Sequence, residues 1–265
     1  MPAPDTPEEI LEFNRRYHDA TAAEYDGKWG ISFGAEGRAQ VLGKVEKLLG
    51  PRPGPFGRSL EIGSGTGYFT LNLMQDGVIR SGVCTDVSPG MLEALSGNAE
   101  RLGLAVETVA CDAAALPFGD AEFDLILATD VLEHIPRDDV AARELRRVAA
   151  PGALLMVTVP AYQWLWSHHD DSHHHQRRYT LPALRSRLAG AGWRPVLQTY
   201  FNALLLPPIA AVRTFARGRE GSDYELTEGP LNRVLELPMR AEAAAIGRGA
   251  RFPAGVSIGM VCRPA

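Results

Sequence analysis

The sequence predicts an α/β protein with a mostly parallel sheet and helices on both faces. Short apolar strands alternate with helical segments along most of the 265 residues, which is the pattern of parallel sheets. The segment Ala153–Val159 is almost wholly apolar, as expected for a strand covered by helices on both sides. Because 45% of the residues are hydrophobic, the chain can bury a sizeable core, and we expect one structural domain.

Residues 1–50 are predicted to form a helical lid ahead of the first strand. Thr6 precedes Pro7 and stands three residues before Glu9, which is a capping arrangement with proline at the first helical position. Residues 51–55 then form a stiff linker. We therefore divide the chain into a lid, 1–50, and a main domain, 51–265.

The first strand, Ser59–Ile62, leads directly into Gly63, Gly65 and Gly67. Glycine permits a tight turn and close approach of a ligand to the backbone, and the next helix points its free N–H groups to the same place. The spacing is not the dinucleotide pattern G-x-G-x-x-G, and no Lys-Ser/Thr pair follows as in a P-loop. The turn predicts a ligand site and disfavours NAD and ATP.

Acidic residues close the following strands. The second strand, Ser81–Asp86, ends 23 residues beyond Gly63, where α/β nucleotide sites place the carboxylate that binds the ribose hydroxyls. The third element closes on Asp112, and the fourth strand is Phe123–Ala128. Asp86 is therefore our expected ribose ligand.

Together these motifs resemble, in order and spacing, those of class I S-adenosylmethionine (SAM)-dependent methyltransferases of the bacterial small-molecule branch. The resemblance spans roughly residues 56–160. It implies a Rossmann-like seven-stranded sheet in the order 3-2-1-4-5-7-6. The last strand, Gly255–Cys262, would pair antiparallel with the sixth, Trp193–Thr199, and a helical insertion at about 201–254 would separate them.

The resemblance also implies SAM as cofactor and assigns residues to it. The methionine end would contact the first strand and its turn, and the ribose would contact the end of the second strand. The adenine would contact the end of the third strand, with Met91 covering its ring. The sulfonium would lie beside the end of the fourth strand. In chain order the assigned residues are Tyr17 of the lid, Glu61, Gly63, Ser64, Gly65, Asp86, Val87, Met91, Asp112, Ala113, Ala128 and Thr129.

Five of the seven histidines lie in the segment Tyr162–Thr180, here called the histidine loop. It resembles a W-S-x-x-D-x-x-x-G-H-x-R-R-Y-T element of one bacterial branch of the family, with His174 in place of the glycine. The loop could supply an acceptor site, bind a divalent metal through histidines and Asp170, or be structural. A metal would use His169, Asp170, His173 and His175, but zinc-type spacing is absent, and we assign no metal.

Three histidines are candidate bases for the acceptor. They are His134 after the fourth strand, His169 and His175; His134 could equally be a helix-packing residue. The expected substrate contacts are Trp29, Trp166, Arg177, Arg178 and Tyr179, with the arginines pairing an anionic group. The lid aromatics, including Tyr17 and Trp29, either close over the cofactor or anchor the lid to the core.

Composition limits the partners. A net charge of −5 and a pI near 5.8 argue against nucleic acid, which requires clustered Lys and Arg. Three cysteines without C-x-x-C pairing suit reduced thiols, and with no signal-peptide pattern we expect a cytoplasmic protein.

The apolar run Ala203–Val212 is too short for a bilayer span of about 20 residues. The run could form a core or lid helix, contact a membrane surface or pack against a lipid-like substrate. The oligomeric state, monomer or homodimer, is also left open.

The expected function is therefore methyl transfer to a small molecule. O-methylation is favoured over N- or C-methylation because candidate bases are abundant. Apolar residues in the lid and insertion favour an acceptor with apolar bulk, such as a secondary metabolite, a quinone-like ring or a lipid-linked sugar. The alternative is a SAM-binding protein without methyl transfer, acting as a cyclase or an assembly partner.

Overall fold

The computed structural model describes residues 6–215 and 241–265, which contain one seven-stranded sheet. The strand order is β3-β2-β1-β4-β5-β7-β6. Neighbouring strands are parallel except β7, which runs antiparallel to both β5 and β6. The strands are β1 Phe56–Ile62, β2 Ile79–Asp86, β3 Val106–Ala110, β4 Phe123–Thr129, β5 Ala149–Pro160, β6 Trp193–Phe201 and β7 Ser257–Pro264. The predicted fold class and strand order are confirmed.

Helices cover both faces of this sheet. They are α1 Pro7–Thr21, α2 Tyr25–Trp29, α3 Ala35–Leu49, α4 Tyr68–Gln75, α5 Pro89–Leu102, α6 Asp138–Val148, α7 His168–Ser172, α8 Leu181–Gly190 and α9 Leu206–Phe215. Residues 241–247 are also helical. Short 3₁₀ turns lie at Ala22–Glu24, Leu132–His134 and Gln163–Leu165.

The predicted cap at the start of α1 is present. The Glu9 backbone N–H donates to Thr6 Oγ1 at 3.2 Å, and Glu9 Oε2 accepts from the Thr6 backbone N–H at 3.2 Å. This reciprocal pair satisfies two backbone groups that the helix itself cannot. The capping sequence thus fixes where the first helix begins.

β5 begins earlier than the apolar run predicts. Ala149 pairs with Phe123 of β4, and the register shifts before Leu125 pairs with Leu154. Pro151 lies in this irregular part, which is where a residue without an N–H is tolerated in a strand. The predicted start at Ala153 was wrong because Ala149 already pairs with Phe123, ahead of the Pro-Gly step.

The two larger of the three apolar clusters in the described residues lie on opposite faces of the sheet. One joins β1, β4 and β5 to α6 and α8 and includes Trp193, which is 1% exposed and donates its indole N–H to the Ala142 carbonyl at 3.0 Å. The other joins the opposite face to α3 through Val41 and Val45. Covering both faces explains the near-continuous apolar sequence of the central strands.

The predicted insertion is described only in part, because its residues 216–240 lie outside the described residues. Its two described ends meet where Glu242 accepts hydrogen bonds from the backbone N–H groups of Asn202 and Ala203, at 2.5 and 2.7 Å. Within 6–215 and 241–265, no helix has the length and apolar character needed to cross a bilayer. The division into lid, main domain and insertion stays a prediction.

Candidate functional site

The carboxyl ends of β1 to β4 border a cavity, here called the first cavity. This edge of an open α/β sheet is where ligands bind in such folds. Strand ends and the segments after them form the walls, and the N-terminal helices form the roof. Predicted cofactor residues in its lining are Gly63, Gly65, Asp86, Val87, Met91, Asp112 and Ala113.

The glycine turn shapes one wall in two ways. Gly63 and Gly65 have positive φ angles, 59° and 51°, which side chains other than glycine adopt at a cost. A Cβ on Gly63 would lie 2.3 Å from Val131 Cγ2, whereas a Cβ on Gly65 would meet no protein atom within 4 Å. Gly63 is therefore packed against protein, and Gly65 keeps backbone bare at the cavity.

Asp86 is held in place by backbone donors. Its two carboxylate oxygens accept from the N–H groups of Gly65, at 3.0 Å, and Ser88, at 2.9 Å. Burial raises the pKa of this carboxyl, and the two N–H groups oppose that rise. A carboxylate has about four acceptor positions, so Asp86 can also accept bonds from a ligand.

Asp112 and Cys111 line the same wall after β3. Asp112 Oδ1 accepts from the Ala114 N–H at 2.8 Å, and its Oδ2 lies 3.9 Å from Arg137 Nη2. Cys111 donates its backbone N–H to the Asp86 carbonyl at 3.1 Å, and burial raises the pKa of its thiol to about 11. The strand ends thus present two oriented carboxylates to one space.

Helix α1 forms the roof. Asp19 Oδ1 accepts from Ser88 Oγ at 2.6 Å and from the Gly90 N–H at 3.0 Å. Asn14 Nδ2 donates to the His134 carbonyl at 3.3 Å, and Asn14 and His18 line the cavity. Burial lowers the pKa of His18, although the charges of Asp86 and Asp19 oppose this. Helix α1 is thus hydrogen-bonded to the start of α5 and to the turn after β4, on either side of the cavity.

Five predicted cofactor residues do not line the first cavity: Tyr17, Glu61, Ser64, Ala128 and Thr129. Glu61 is 2% exposed and accepts from the N–H and Oγ1 of Thr70, at 3.0 and 2.6 Å. Burial raises its pKa to about 7. The Glu61 carboxylate thus binds the first turn of α4, and its contact with the cofactor stays a prediction. Tyr17 instead packs edge-on against His174, with ring centroids 5.2 Å apart.

The centre of the histidine loop is a buried ion pair. Arg178 donates from Nε and Nη2 to the two oxygens of Asp170, at 2.6 and 2.9 Å. Asp170 also accepts from the Ser167 N–H at 2.8 Å and contacts His175 Nδ1 at 2.8 Å. Burial alone would raise the pKa of Asp170, but the hydrogen bonds from His175 and Arg178 outweigh it and lower that pKa. The charge of Arg178 is thus satisfied within the loop, and the predicted contact of Arg178 with substrate stays a prediction.

The other predicted substrate contacts are also engaged within the protein. Tyr179 donates its hydroxyl to Asp138 Oδ2 at 2.8 Å, and Arg177 donates to the carbonyls of Ile135 and Pro136 at 3.0 and 2.9 Å. The Trp166 indole donates to Asp171 at 2.8 Å, and the ring of Trp29 packs on His173 at 4.9 Å. None of these four side chains lines either of the two described cavities, because each serves to anchor a loop.

The three candidate bases differ in their position relative to the first cavity. His134 lies in the wall of the first cavity, and its ring stands edge-on to that of His175, with centroids 4.6 Å apart. Burial, reinforced by neighbouring histidines, lowers the pKa of His134 well below its ordinary value. His175 is bound to Asp170 and does not line the first cavity. The side chain of His169 lies outside the described part of the structure.

Sequence reasoning missed Asp130 and Glu133, which follow β4. Asp130 borders the first cavity and pairs with Lys44 at 2.9 Å. Glu133 is 1% exposed, and burial, with the nearby charge of Asp130, raises its pKa well above the ordinary value. Asp130 could have been found from the pattern of acids that close the strands. Glu133 gave no such signal.

A second cavity adjoins the first. Helix α3 contributes Lys44 and Lys47, and the ends of β5 and β6 contribute Thr158 and Phe201. Asp130 borders both cavities. Burial lowers the pKa of Lys47. A second molecule could therefore approach the contents of the first cavity from this side.

Comparison with known proteins agrees with this geometry. Residues 60–157 match a family described as a methyltransferase domain. An uncharacterised Mycobacterium tuberculosis protein is 28% identical over 144 residues, covering 54% of this chain and 52% of that protein. A demethylmenaquinone methyltransferase from Mycobacterium tuberculosis is 38% identical over 106 residues, covering 40% and 42%. The chain spans about half the length of these curated relatives.

Solved structures share the whole fold at low sequence identity. The [4+2]-cyclase SpnF superimposes with a TM-score of 0.65 at 19% identity, covering 100% of this chain and 98% of that one. A Haemonchus contortus phosphoethanolamine N-methyltransferase, crystallised with phosphomonomethylethanolamine and S-adenosylhomocysteine, gives 0.63 at 18% identity, covering 98% and 60%. At such identities the likeness concerns the fold alone. The matched methyltransferase domain, residues 60–157, contains the glycine turn, Asp86 and Asp112, and the sheet has the strand order that the resemblance implied.

Proposed function

We propose that this protein binds SAM in the first cavity and transfers its methyl group to a small molecule that enters through the second. One observation carries the proposal: successive strand ends present bare glycine backbone, then one carboxylate, then another, to a single space. The residues present fit a nucleoside joined to an amino acid.

Each end of SAM has a partner of suitable chemistry. Gly63 and Gly65 would hold the methionine end, Asp86 would accept from the ribose hydroxyls, and Asp112 from the adenine amino group. Met91, which is 1% exposed and lines the cavity, would cover the ring. The backbone bonds to Asp86 orient its carboxylate before any ligand arrives, which lowers the cost of binding.

Bound SAM supplies an electrophilic methyl group on a sulfonium sulfur. The chain has to align the acceptor, exclude water and take the acceptor's proton. His134 lies in the cavity wall, and its lowered pKa keeps the imidazole neutral. In this proposal His134 accepts the proton of an acceptor hydroxyl. The hydroxyl oxygen then bonds to the methyl carbon as the carbon–sulfur bond breaks. This favours O-methylation.

The acceptor is best described as a hydroxylated ring with apolar bulk. The second cavity combines the aromatic ring of Phe201 with the polar groups of Lys44, Lys47 and Thr158. The matched relative named demethylmenaquinone methyltransferase supports a quinone-like compound among the candidates. Such a molecule would reach the first cavity beside Asp130.

Two measurements test the proposal. Calorimetry should detect S-adenosylhomocysteine binding to the purified protein, and absence of binding would overturn the proposal. Formation of S-adenosylhomocysteine from SAM should depend on acceptor in a panel of quinols and hydroxylated aromatic compounds. His134→Gln should lower kcat by about 100-fold while leaving the affinity for S-adenosylhomocysteine within about twofold.

The alternative is a SAM-binding protein that transfers no methyl group. The likeness of its fold to that of a [4+2]-cyclase supports this second function. Binding of S-adenosylhomocysteine without acceptor-dependent turnover across the panel would favour it. Conversion of an unsaturated acceptor at constant SAM concentration would then identify a cyclase.

A further inference from the structure

Three side chains beside the first cavity bring metal-binding atoms together. A carboxylate oxygen of Glu133 and one ring nitrogen each of His134 and His175 all lie within 4.8 Å of one another. The sequence suggested His169, Asp170, His173 and His175 of the histidine loop as metal ligands, and we assigned no metal there. The chain fold instead joins one loop histidine to the turn that follows β4.

Two side-chain atoms of these residues are buried without hydrogen bonds. Within the described residues, Glu133 Oε2 and His134 Nδ1 have no hydrogen-bond partner, and the Glu133 residue is only 1% exposed. Buried polar atoms are nearly always satisfied, so an exception calls for a water or an ion. Here two exceptions occur on adjacent residues of one cluster.

The third side chain, His175, is oriented by a carboxylate. Its Nδ1 lies 2.8 Å from Asp170 Oδ1, and Asp170 is in turn fixed by the paired bonds from Arg178. Ligating histidines usually bond a carboxylate or carbonyl through one nitrogen, which directs the other nitrogen to the metal. The buried ion pair thus sets the ring of His175 as a ligand requires.

We propose that Glu133, His134 and His175 bind a divalent transition-metal ion of the zinc type. Two imidazoles and one carboxylate suit Zn²⁺ with a fourth position open, whereas Mg²⁺ and Ca²⁺ prefer oxygen ligands throughout. Ligand atoms of a tetrahedral zinc site stand about 3.3 Å apart. The cluster must therefore close by up to about 1.5 Å when an ion binds.

The role of the ion follows from its place. His134 belongs both to the cluster and to the wall of the first cavity, so an ion there adjoins the proposed transfer site. Resting on the proposed function, we assign the open position to the acceptor hydroxyl, which the ion would orient and make more acidic. In the metal-bound protein His134 would be a ligand, and the ion would replace it in activating the hydroxyl. Binding of the metal itself does not depend on that function.

Titration of chelator-treated protein tests the site. With Co²⁺ as probe and no SAM present, we expect one ion per chain and the visible absorption of four-coordinate cobalt, removed by an equivalent of Zn²⁺. Glu133→Gln and His175→Gln should each weaken affinity by at least about 100-fold, since even partners outside the ligand set affect it by 10–100-fold. The control is His168→Gln, an exposed histidine of the same loop, which should leave affinity within about twofold.

Each outcome of the titration either supports or overturns the metal site. Absence of stoichiometric binding to wild type overturns the site, and so does an equal loss in His168→Gln, which would indicate adventitious surface histidines. Circular dichroism of each variant excludes unfolding as the cause, and the wild-type titration decides alone if a variant does not fold. Metal binding without S-adenosylhomocysteine binding would overturn the proposed function and leave the metal site standing; the reverse result would do the opposite.

Discussion

The two sides of the first cavity use charge in different ways. On the side of β1 to β3, Asp86 and Asp112 are held by backbone N–H groups and line the space. On the side of the histidine loop, Asp170 and Arg178 satisfy each other and line no described cavity. A carboxylate held by backbone remains available to a ligand, whereas one paired with arginine stabilises the loop. Four variants sharpen this comparison.

Asp170→Ala should have the largest effect. Removing one partner of a buried ion pair leaves the other charge uncompensated, which costs about 3–5 kcal/mol. We expect a loss of that size in the free energy of unfolding, measured by urea titration. The control is Asp139→Ala, whose exposed pair with Arg143 should contribute less than about 1 kcal/mol. Equal losses in the two variants would contradict the assignment of Asp170 to the loop interior.

Glu61→Gln should stabilise the protein at alkaline pH. Burial raises the pKa of Glu61 from 4.5 to about 7, so between these values the folded state binds more protons than the unfolded state. Stability is therefore lost as pH rises from about 5 to 7 and is constant above. The glutamine variant, which lacks this titration, should exceed wild type by up to about 3 kcal/mol at pH 8 and match it near pH 4. Parallel urea-unfolding curves for both proteins across the window would contradict the buried position.

Asp86→Asn tests the side that we assign to the ligand. The amide loses the charge that strengthens hydrogen bonds, so we expect affinity for S-adenosylhomocysteine to fall by about 10–100-fold, or about 1.5–3 kcal/mol. Calorimetry measures this. Glu107→Gln is the control, since Glu107 lies on β3 in an exposed pair with Arg58. Unchanged affinity in Asp86→Asn would remove the carboxylate from the binding proposal.

Gly65→Ala should have the smallest effect on stability. Its Cβ meets no protein atom within 4 Å, so only the positive φ opposes it, at about 1–2 kcal/mol. The methyl group would occupy the first cavity and weaken S-adenosylhomocysteine binding. Gly63→Ala, whose Cβ would strike Val131, should lose more stability. Reversal of this order in thermal unfolding would contradict the geometry of the turn.

Much of the fold could be predicted from the sequence because its signals are local. Strand β2 ends on Asp86 and the glycines follow β1 within a few residues, so a short window contains both the element and its ligand group. The bounds of β5 could not be predicted, because its start depends on pairing with Phe123. Strand order came from the resemblance and not from any local signal.

The histidine loop shows why the rest of the site was harder. Arg178 was assigned to an anionic substrate although its partner, Asp170, lies eight residues earlier in the same loop. Opposite charges within one motif were a signal for internal pairing. No such signal could join His175 to Glu133, because 42 residues separate them and only the tertiary fold brings them together.

Cys111 adds a chemical constraint to the first cavity. A thiolate is a strong nucleophile, and this sulfur would stand beside a reagent that alkylates nucleophiles. With its pKa raised to about 11, only about one molecule in ten thousand carries the thiolate at pH 7. Burial of the side chain thus protects the protein against methylating itself.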